Sequence, residues 1–181
     1  MGGIIEMFAI DFAMLLLPLF FLRAVKGKEW GKIEKELLGK YQGNKKEIVG
    51  ALALFSALLI GFVVMASIIS FLGINDLSKV QEVVVETYSQ NAPALIFTLL
   101  VGVFAEEFFF RVFLVKRAGM LISTIIFTFA HLGYGSAAET IGVFFLGLIL
   151  SYWYKKKNSL FQNYFGHMLY NLFAIAIYLV G

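Results

Sequence analysis

Six apolar runs separated by polar stretches constrain this chain more than any other feature. Because an α-helix rises 1.5 Å per residue, about 20 apolar residues cross the hydrocarbon core of a bilayer. The predicted spans are approximately 4–22, 48–74, 92–115, 118–134, 138–154 and 160–180. We therefore predict an all-α fold, a polytopic membrane helical bundle of about six transmembrane helices. We expect residues 1–181 to form a single integral membrane domain, multi-pass in the plasma membrane.

Composition and the placement of charge agree with a membrane protein. The chain is 60% hydrophobic and 15% charged, whereas soluble domains carry about 25% charged residues. All Lys and Arg residues except Lys79 and Arg111 lie in three stretches, 23–47, 116–117 and 155–157. Six spans place these stretches on one side of the membrane, as the positive-inside rule requires. The net charge of +3 therefore reflects membrane topology, and we predict lipid surroundings and no nucleic-acid partner.

The sequence is compatible with two structures for each of two segments. Glu6 and Asp11 lie in the first run, so this run either spans the membrane or stays at its interface. Residues 75–91 suit either a short amphipathic surface helix or a loop. The stretch 23–47 is predicted to be a cytoplasmic loop that is helical around Trp30 to Leu38.

The third run carries three charges, Glu106, Glu107 and Arg111. A charge at the bilayer centre costs roughly 2.5 to 3.5 kcal/mol on insertion scales, so these residues need a specific role. Glu107 and Arg111 are four residues apart and are predicted to pair on one helix face. Glu106, about 100° around the helix, has no such partner and is the candidate functional carboxylate. The alternative is an ion-pair cluster that only docks helices.

Both histidines of the chain, His131 and His167, also lie inside apolar runs, and Asn171 follows His167 by four residues. With Glu106, these residues lie ten to fourteen positions from the nearest basic turn, which is about 15 to 21 Å along a helix. We therefore predict that the four polar side chains share one layer near the middle of the membrane.

This set of residues predicts hydrolysis by water. A carboxylate beside a neutral imidazole can act as a general base, and an imidazole with an amide can stabilise an oxyanion. A catalytic zinc held by Glu106, His131 and His167 is the alternative. It is disfavoured because no His-Glu-x-x-His pair is present and Asn171 would have no role. We predict no metal and no other cofactor.

Three ordered motifs resemble a known family. Glu106-Glu107-x-x-x-Arg111, Phe127-x-x-x-His131 and His167-x-x-x-Asn171 are similar to the signature of the CPBP family, the ABI or CAAX-protease group of intramembrane proteases. The resemblance covers about 92–180, the expected catalytic core. The stretch 144–160 is similar to the family's glycine-bearing helix and basic turn.

The resemblance implies an intramembrane glutamic-type endopeptidase. Glu106 would be the general base and His131 its partner, His167 and Asn171 would stabilise the oxyanion, and Glu107 and Arg111 would support the site. The implied partner is a protein or peptide substrate, which includes the C-terminus of a prenylated protein. Prenyl endopeptidases of the family generally have more spans, so the prenyl requirement, the substrate and the oligomeric state stay open.

Two other classes of protein remain as alternatives. One is a non-catalytic bacteriocin-immunity or accessory membrane protein that uses the polar layer to dock helices. The other is a small proton-coupled carrier, although no inverted repeat is visible in the sequence. Four further polar residues are interpreted as packing or surface residues: Glu6, Asp11, Tyr134 and Glu139.

Overall fold

In a computed structural model of the protein, residues 2–38 and 41–180 are described, and within them every regular element is helical. Nine α-helices follow in chain order: α1 Gly2–Phe20, α2 Trp30–Leu38, α3 Asn44–Phe71, α4 Ser78–Phe97, α5 Val103–Glu106, α6 Lys116–Ala118, α7 Met120–Ala130, α8 Ala137–Lys157 and α9 Leu160–Val180. Three π-helical segments and one 3-10 turn join them: Phe21–Val25, Thr98–Gly102, Glu107–Val115 and Leu132–Tyr134. The predicted all-α class is confirmed.

Among the described residues, four helical segments are long and apolar enough to cross a membrane: Phe8–Val25, Asn44–Phe71, Ser78–Ala118 and Ala137–Lys157. They contain the third and fifth predicted runs and overlap most of the first and second. The fourth run is a shorter apolar helix, Met120–Tyr134. The sixth run is α9, which has 21 residues but carries polar side chains through its first half. The fold is therefore a helical membrane bundle with two atypical helices, and both contribute to the site described below.

The segment before the third run is helical and continuous with that run. Helix α4 begins at Ser78 and bends at Asn91, whose φ of −158° and ψ of 73° are not helical. The Asn91 side-chain oxygen accepts a hydrogen bond from the Ala94 amide at 3.1 Å, as an N-cap residue does. Pro93 follows inside this first turn, where its missing N–H is tolerated. The bend thus lies directly before residue 92, the predicted start of the third run.

Helix α3 packs against both α8 and α9. The approach to α9 is close because Gly166 has no side chain. A Cβ at this position would lie 2.9 Å from Leu54 Cγ and 3.0 Å from the Ala51 carbonyl oxygen. Small residues permit this kind of contact between membrane helices. The contact fixes the depth and rotation of α9, which carries His167.

Buried polar residues join the helices at the end of the bundle that holds the α8–α9 turn. Glu47 is fully buried and accepts hydrogen bonds from the Ser159 hydroxyl at 2.5 Å and the Gln42 amide at 2.7 Å. Nearby, α2 buries Ile33 and Leu37 in an apolar cluster, and its bounds confirm the helix predicted at Trp30 to Leu38. The start of α3 is thereby held against the turn between α8 and α9.

At the other end, Asp76 caps α8. Its carboxylate accepts hydrogen bonds from the Ala137 amide at 2.7 Å, the Ala138 amide at 3.0 Å and the Ser136 hydroxyl at 2.9 Å. These donors, with the amide of Ala138 first, lower the pKa of Asp76 from 3.8 to about 2, because hydrogen bonds to a carboxylate favour its charged form. The loop between α3 and α4 is thus held to the start of α8.

Candidate active site

Glu107 lies at the centre of a buried polar cluster that connects three helical segments. Its side chain and that of Arg111 are both fully buried, with 3.5 Å between Arg111 Nε and Glu107 Oε2. Oε1 lies 2.8 Å from Nδ1 of His167, and Oε2 accepts a hydrogen bond from Asn163 at 3.1 Å. The Asn163 amide also donates to the Leu150 carbonyl at 3.0 Å. The predicted Glu107–Arg111 pair is confirmed, and Glu107 also orients α9.

The guanidinium of Arg111 is held by charge and by aromatic faces. Among the described residues, none of its three nitrogens has a hydrogen-bond partner, so its contact with Glu107 is an ion pair without hydrogen-bond geometry. The guanidinium carbon lies 4.2 Å from the ring centroid of Phe127 and 5.8 Å from that of Phe110. Cation–π contacts are worth about 2 kcal/mol or more when desolvated. Arg111 is therefore stabilised by Glu107 and Phe127 together.

Phe127 also contacts both histidines. Its ring centroid is 4.5 Å from that of His131 and 6.2 Å from that of His167. Helix α7 ends at Ala130, and His131 is its C-cap residue. Nδ1 of His131 lies 2.9 Å from the Phe127 carbonyl oxygen. Because a carbonyl only accepts, Nδ1 carries the hydrogen, and Nε2 of the neutral ring is free to accept a proton.

His167 has a different environment. Only 5% of its surface is exposed, and its Nδ1 faces the carboxylate of Glu107. A carboxylate only accepts hydrogen bonds, so Nδ1 carries a hydrogen. The second nitrogen, Nε2, is left for a ligand, and it donates a hydrogen bond when the ring is protonated.

The two histidines and Asn171 line one cavity of about 300 Å³. Its polar lining consists of His131, Tyr134, Glu139, His167, Tyr170 and Asn171, together with the hydroxyl-bearing residues Thr98 and Tyr178. The remaining walls are apolar and come mainly from α3, α4, α8 and α9, with residues such as Phe62, Met65 and Val84. Mostly apolar pockets with a few convergent polar groups are typical binding sites. The structure therefore brings together three of the four residues that were predicted to share a layer.

Glu106 is placed differently from these three. It is half-buried at the end of α5 and is not among the described residues that line the cavity. Its electrostatic neighbours are Asp11, Arg111 and Tyr134. Of these, Tyr134 lines the cavity and stacks on His131 with 6.2 Å between ring centroids. Tyr134 is thus a neighbour of both Glu106 and His131.

A π-helix begins directly after Glu106 and continues to Val115. Its wider turn changes the angle between successive side chains. Glu106 and Glu107, which are adjacent residues about 100° apart around the helix, face different neighbours, as their contacts show. Such π-helical segments are frequent at functional sites.

Several site residues were not identified from the sequence. Tyr134 and Glu139 line the cavity, and Asp11 is buried with 6% of its surface exposed, although all three were interpreted as packing or surface residues. Asn163 binds Glu107. The sequence held a signal for Asn163, because it precedes His167 by the same four residues that separate His167 from Asn171. The side chain of Glu6 lies outside the described part of the chain.

The structure also bears on the zinc alternative. Within residues 2–38 and 41–180, no group of three or more His, Cys, Asp or Glu residues is arranged to hold a metal ion. The three ligands considered for zinc, Glu106, His131 and His167, do not form such a group.

The helical bundle and its apolar spans define an integral membrane protein with a polar, cavity-lining site. Residues 88–173 match the family model described as type II CAAX prenyl endopeptidase Rce1-like. The resemblance found in the sequence is confirmed by this match, which covers a little under half of the chain. The matched region contains all six predicted site residues. No curated protein and no solved structure matches the chain.

Proposed function

We propose that this protein is an intramembrane endopeptidase of the CAAX-protease type, which hydrolyses a peptide bond with water activated by a glutamate and a histidine. The observation that supports the proposal most is the convergence of His131, His167 and Asn171 on one cavity inside the family-matched region. The proposed setting is the plasma membrane, with a multi-pass chain. The proposed chemistry uses no cofactor.

His131 and Glu106 are the proposed activators of water. The Phe127 carbonyl fixes the hydrogen on Nδ1 of His131, so Nε2 presents a lone pair to the cavity that His131 lines. Glu106, which shares Tyr134 as a neighbour with His131, supplies the carboxylate that accepts the proton from water. General-base catalysis of this kind contributes typically 10² to 10⁴-fold in rate.

His167 and Asn171 are the proposed oxyanion stabilisers. Glu107 holds His167 by the 2.8 Å contact to Nδ1, and in the doubly protonated ring Nε2 carries a second hydrogen that it donates to the developing oxyanion. Asn171, four residues later on α9, donates from its side-chain amide. Removing one donor of this kind typically costs about a hundred- to a thousand-fold in rate. Glu107 and Arg111 act as positioning residues, because neither lies among the described residues that line the cavity.

The proposed substrate is a protein or peptide with an apolar part near the scissile bond. The apolar walls of the cavity, from α3 and α4, suit such a group, and a prenylated C-terminus is one that fits this description. Membrane lipid surrounds the exposed apolar side chains, among them Phe71 and Ile60, which are 90% and 66% exposed. Large apolar side chains that are exposed on the protein surface are typical of a membrane-facing surface.

The test is cleavage of prenylated and unprenylated CAAX peptides by the detergent-purified protein. The compared variants are Glu106→Ala, His131→Ala and His167→Ala, with the exposed Glu82→Gln as the matched control. Cleavage that is lost in the three site variants and retained in the control supports the proposal. Cleavage abolished by a chelator and restored by zinc would instead support a metal enzyme.

A non-catalytic accessory role is the second candidate, and one observation favours it. Glu107, Arg111, Asn163 and His167 are buried and bind one another, which is sufficient to dock α9 onto the π-helical segment. Docking predicts that the wild-type protein is folded and cleaves none of the peptides. It also predicts that Glu106→Ala, outside this cluster, has no effect on any measured property.

A further inference from the structure

Asp11 is a buried acid that the proposed chemistry does not use. It lies on α1, before the family-matched region 88–173, and only 6% of its surface is exposed. Its Oδ2 atom has no hydrogen-bond partner among the described residues. A buried, unpaired carboxylate is strongly disfavoured, so such a group either binds a proton or shares one with a neighbour.

The surroundings of Asp11 point to its neighbour. Helix α1 packs against α5, and Gly102, directly before α5, leaves room for the carboxyl group. A Cβ on Gly102 would lie 3.4 Å from Oδ2 and 3.6 Å from Oδ1 of Asp11. Glu106 is four residues after Gly102 and therefore lies one turn along the same helix face. Asp11 and Glu106 are thus electrostatic neighbours.

Few other charged groups face this pair in the described part of the chain. Glu106 also interacts with Arg111, which is paired to Glu107, and with Tyr134 at the cavity. Two carboxyl groups placed close together in a poorly solvated site cannot both ionise and hold one proton between them.

We propose that Asp11 and Glu106 form such a carboxyl pair, so that α1 supplies a positioning residue to the site. The pair holds one proton and a single negative charge, so the two carboxyl groups compete for ionisation and each, when ionised, disfavours ionisation of the other. The pairing itself is independent of catalysis, whereas its effect on activity rests on the proposed function.

The pair is tested by the titration of Asp11. Because Asp11 and Asp76 are the two aspartates of the chain, ¹³C labelling of aspartate side chains gives two carboxyl signals. Asp76→Asn removes one signal and assigns the other without altering Asp11. In Glu106→Gln, the titration midpoint of Asp11 is expected to fall by about one pH unit or more, as for strongly interacting groups. Glu82→Gln is the control, and it leaves the midpoint unchanged. An Asp11 midpoint that is the same in Glu106→Gln and in wild type overturns the proposal.

The catalytic consequence is tested by the pH profile of kcat/KM in Asp11→Asn. The amide keeps the shape of the side chain but never carries a negative charge, so Glu106 no longer competes with Asp11 for ionisation and stays ionised to lower pH. The acidic limb of the profile is expected to move down by about one pH unit. A limb that does not move overturns the link between Asp11 and the site. If the Asp11 titration depends on Glu106 while wild type cleaves no peptide, the pair is supported and the proposed function fails.

Discussion

Nδ1 of His167 lies 2.8 Å from Oε1 of Glu107, and both side chains are buried. This contact joins α9 to the π-helical segment 107–115 and fixes which nitrogen of His167 is available to a ligand. The same carboxylate neutralises Arg111, which lies four residues further along the chain. One acid thus has two roles, positioning an imidazole and compensating a buried cation.

Glu107→Gln is expected to destabilise the protein because it leaves the buried Arg111 without its counter-charge. Removal of one partner from a buried ion pair costs about 3 to 5 kcal/mol. Glu107→Gln combined with Arg111→Met removes both charges and is expected to recover a large part of that loss. The measurement is thermal unfolding in detergent, followed by the fluorescence of Trp30 and Trp153. A double variant that is as unstable as the sum of both single variants would contradict this account.

Phe127→Leu is expected to weaken both the cluster and the site. The leucine side chain fills much of the space but offers no aromatic face to Arg111, which lies 4.2 Å from the ring. The loss is about 2 kcal/mol, the value of a desolvated cation–π contact, together with reduced peptidase activity because both histidines contact this ring. Phe129→Leu is the matched control on the same helix, since Phe129 is 64% exposed. Equal losses in the two variants would argue against the role of Phe127.

The stability of the Asp76 cap is expected to depend on pH. In the folded protein the pKa of Asp76 is about 2, below the ordinary value of 3.8. Its stabilising effect is therefore fully present above the ordinary value and is lost as the pH falls through the folded one. Asp76→Asn should lower the unfolding temperature at pH 7 and have progressively less effect towards pH 2. Glu82→Gln, on the exposed face of α4, should show no such dependence, and a constant difference for Asp76→Asn would contradict the cap.

The sequence predicted the helical class better than the pairing of the polar residues in the helices. Apolar runs and basic turns report hydrophobic length and topology, so the helices followed from them. The Glu107–Arg111 pair followed from a four-residue spacing within one segment. The partner of His167 could not be predicted from such a spacing. The choice between Glu106 and Glu107 depends on how far α5 is rotated about its axis. The π-helix that starts at Glu107 changes the rotation in a way that a regular 3.6-residue period cannot predict.

The tertiary contacts of individual acidic residues could not be predicted from the sequence either. Asp11 resembles a residue at a membrane interface when only its own run is considered. Its burial arises from the packing of α1 against α5 and from the space left by Gly102, and neither can be read from local pattern. Asp76 similarly caps a helix that starts about 60 residues later. In both cases the tertiary fold, and not local propensity, decides the environment of the carboxyl group.

Gly166→Ala is expected to displace α9 from α3. The added Cβ would lie 3.0 Å from the backbone oxygen of Ala51 and 2.9 Å from Leu54, and a backbone atom cannot move aside as a flexible side chain does. Overpacking of this kind costs typically 1 to 3 kcal/mol.

Peptidase activity should fall as well in Gly166→Ala, because His167 is the next residue and its contact with Glu107 depends on the position of α9. Gly31→Ala is the control: Gly31 lies on α2 with open space around it, so alanine there should be neutral or stabilising. Unfolding temperature and activity are measured for both variants. A Gly166→Ala protein as stable and active as Gly31→Ala would show that the close approach of α3 and α9 does not position the site.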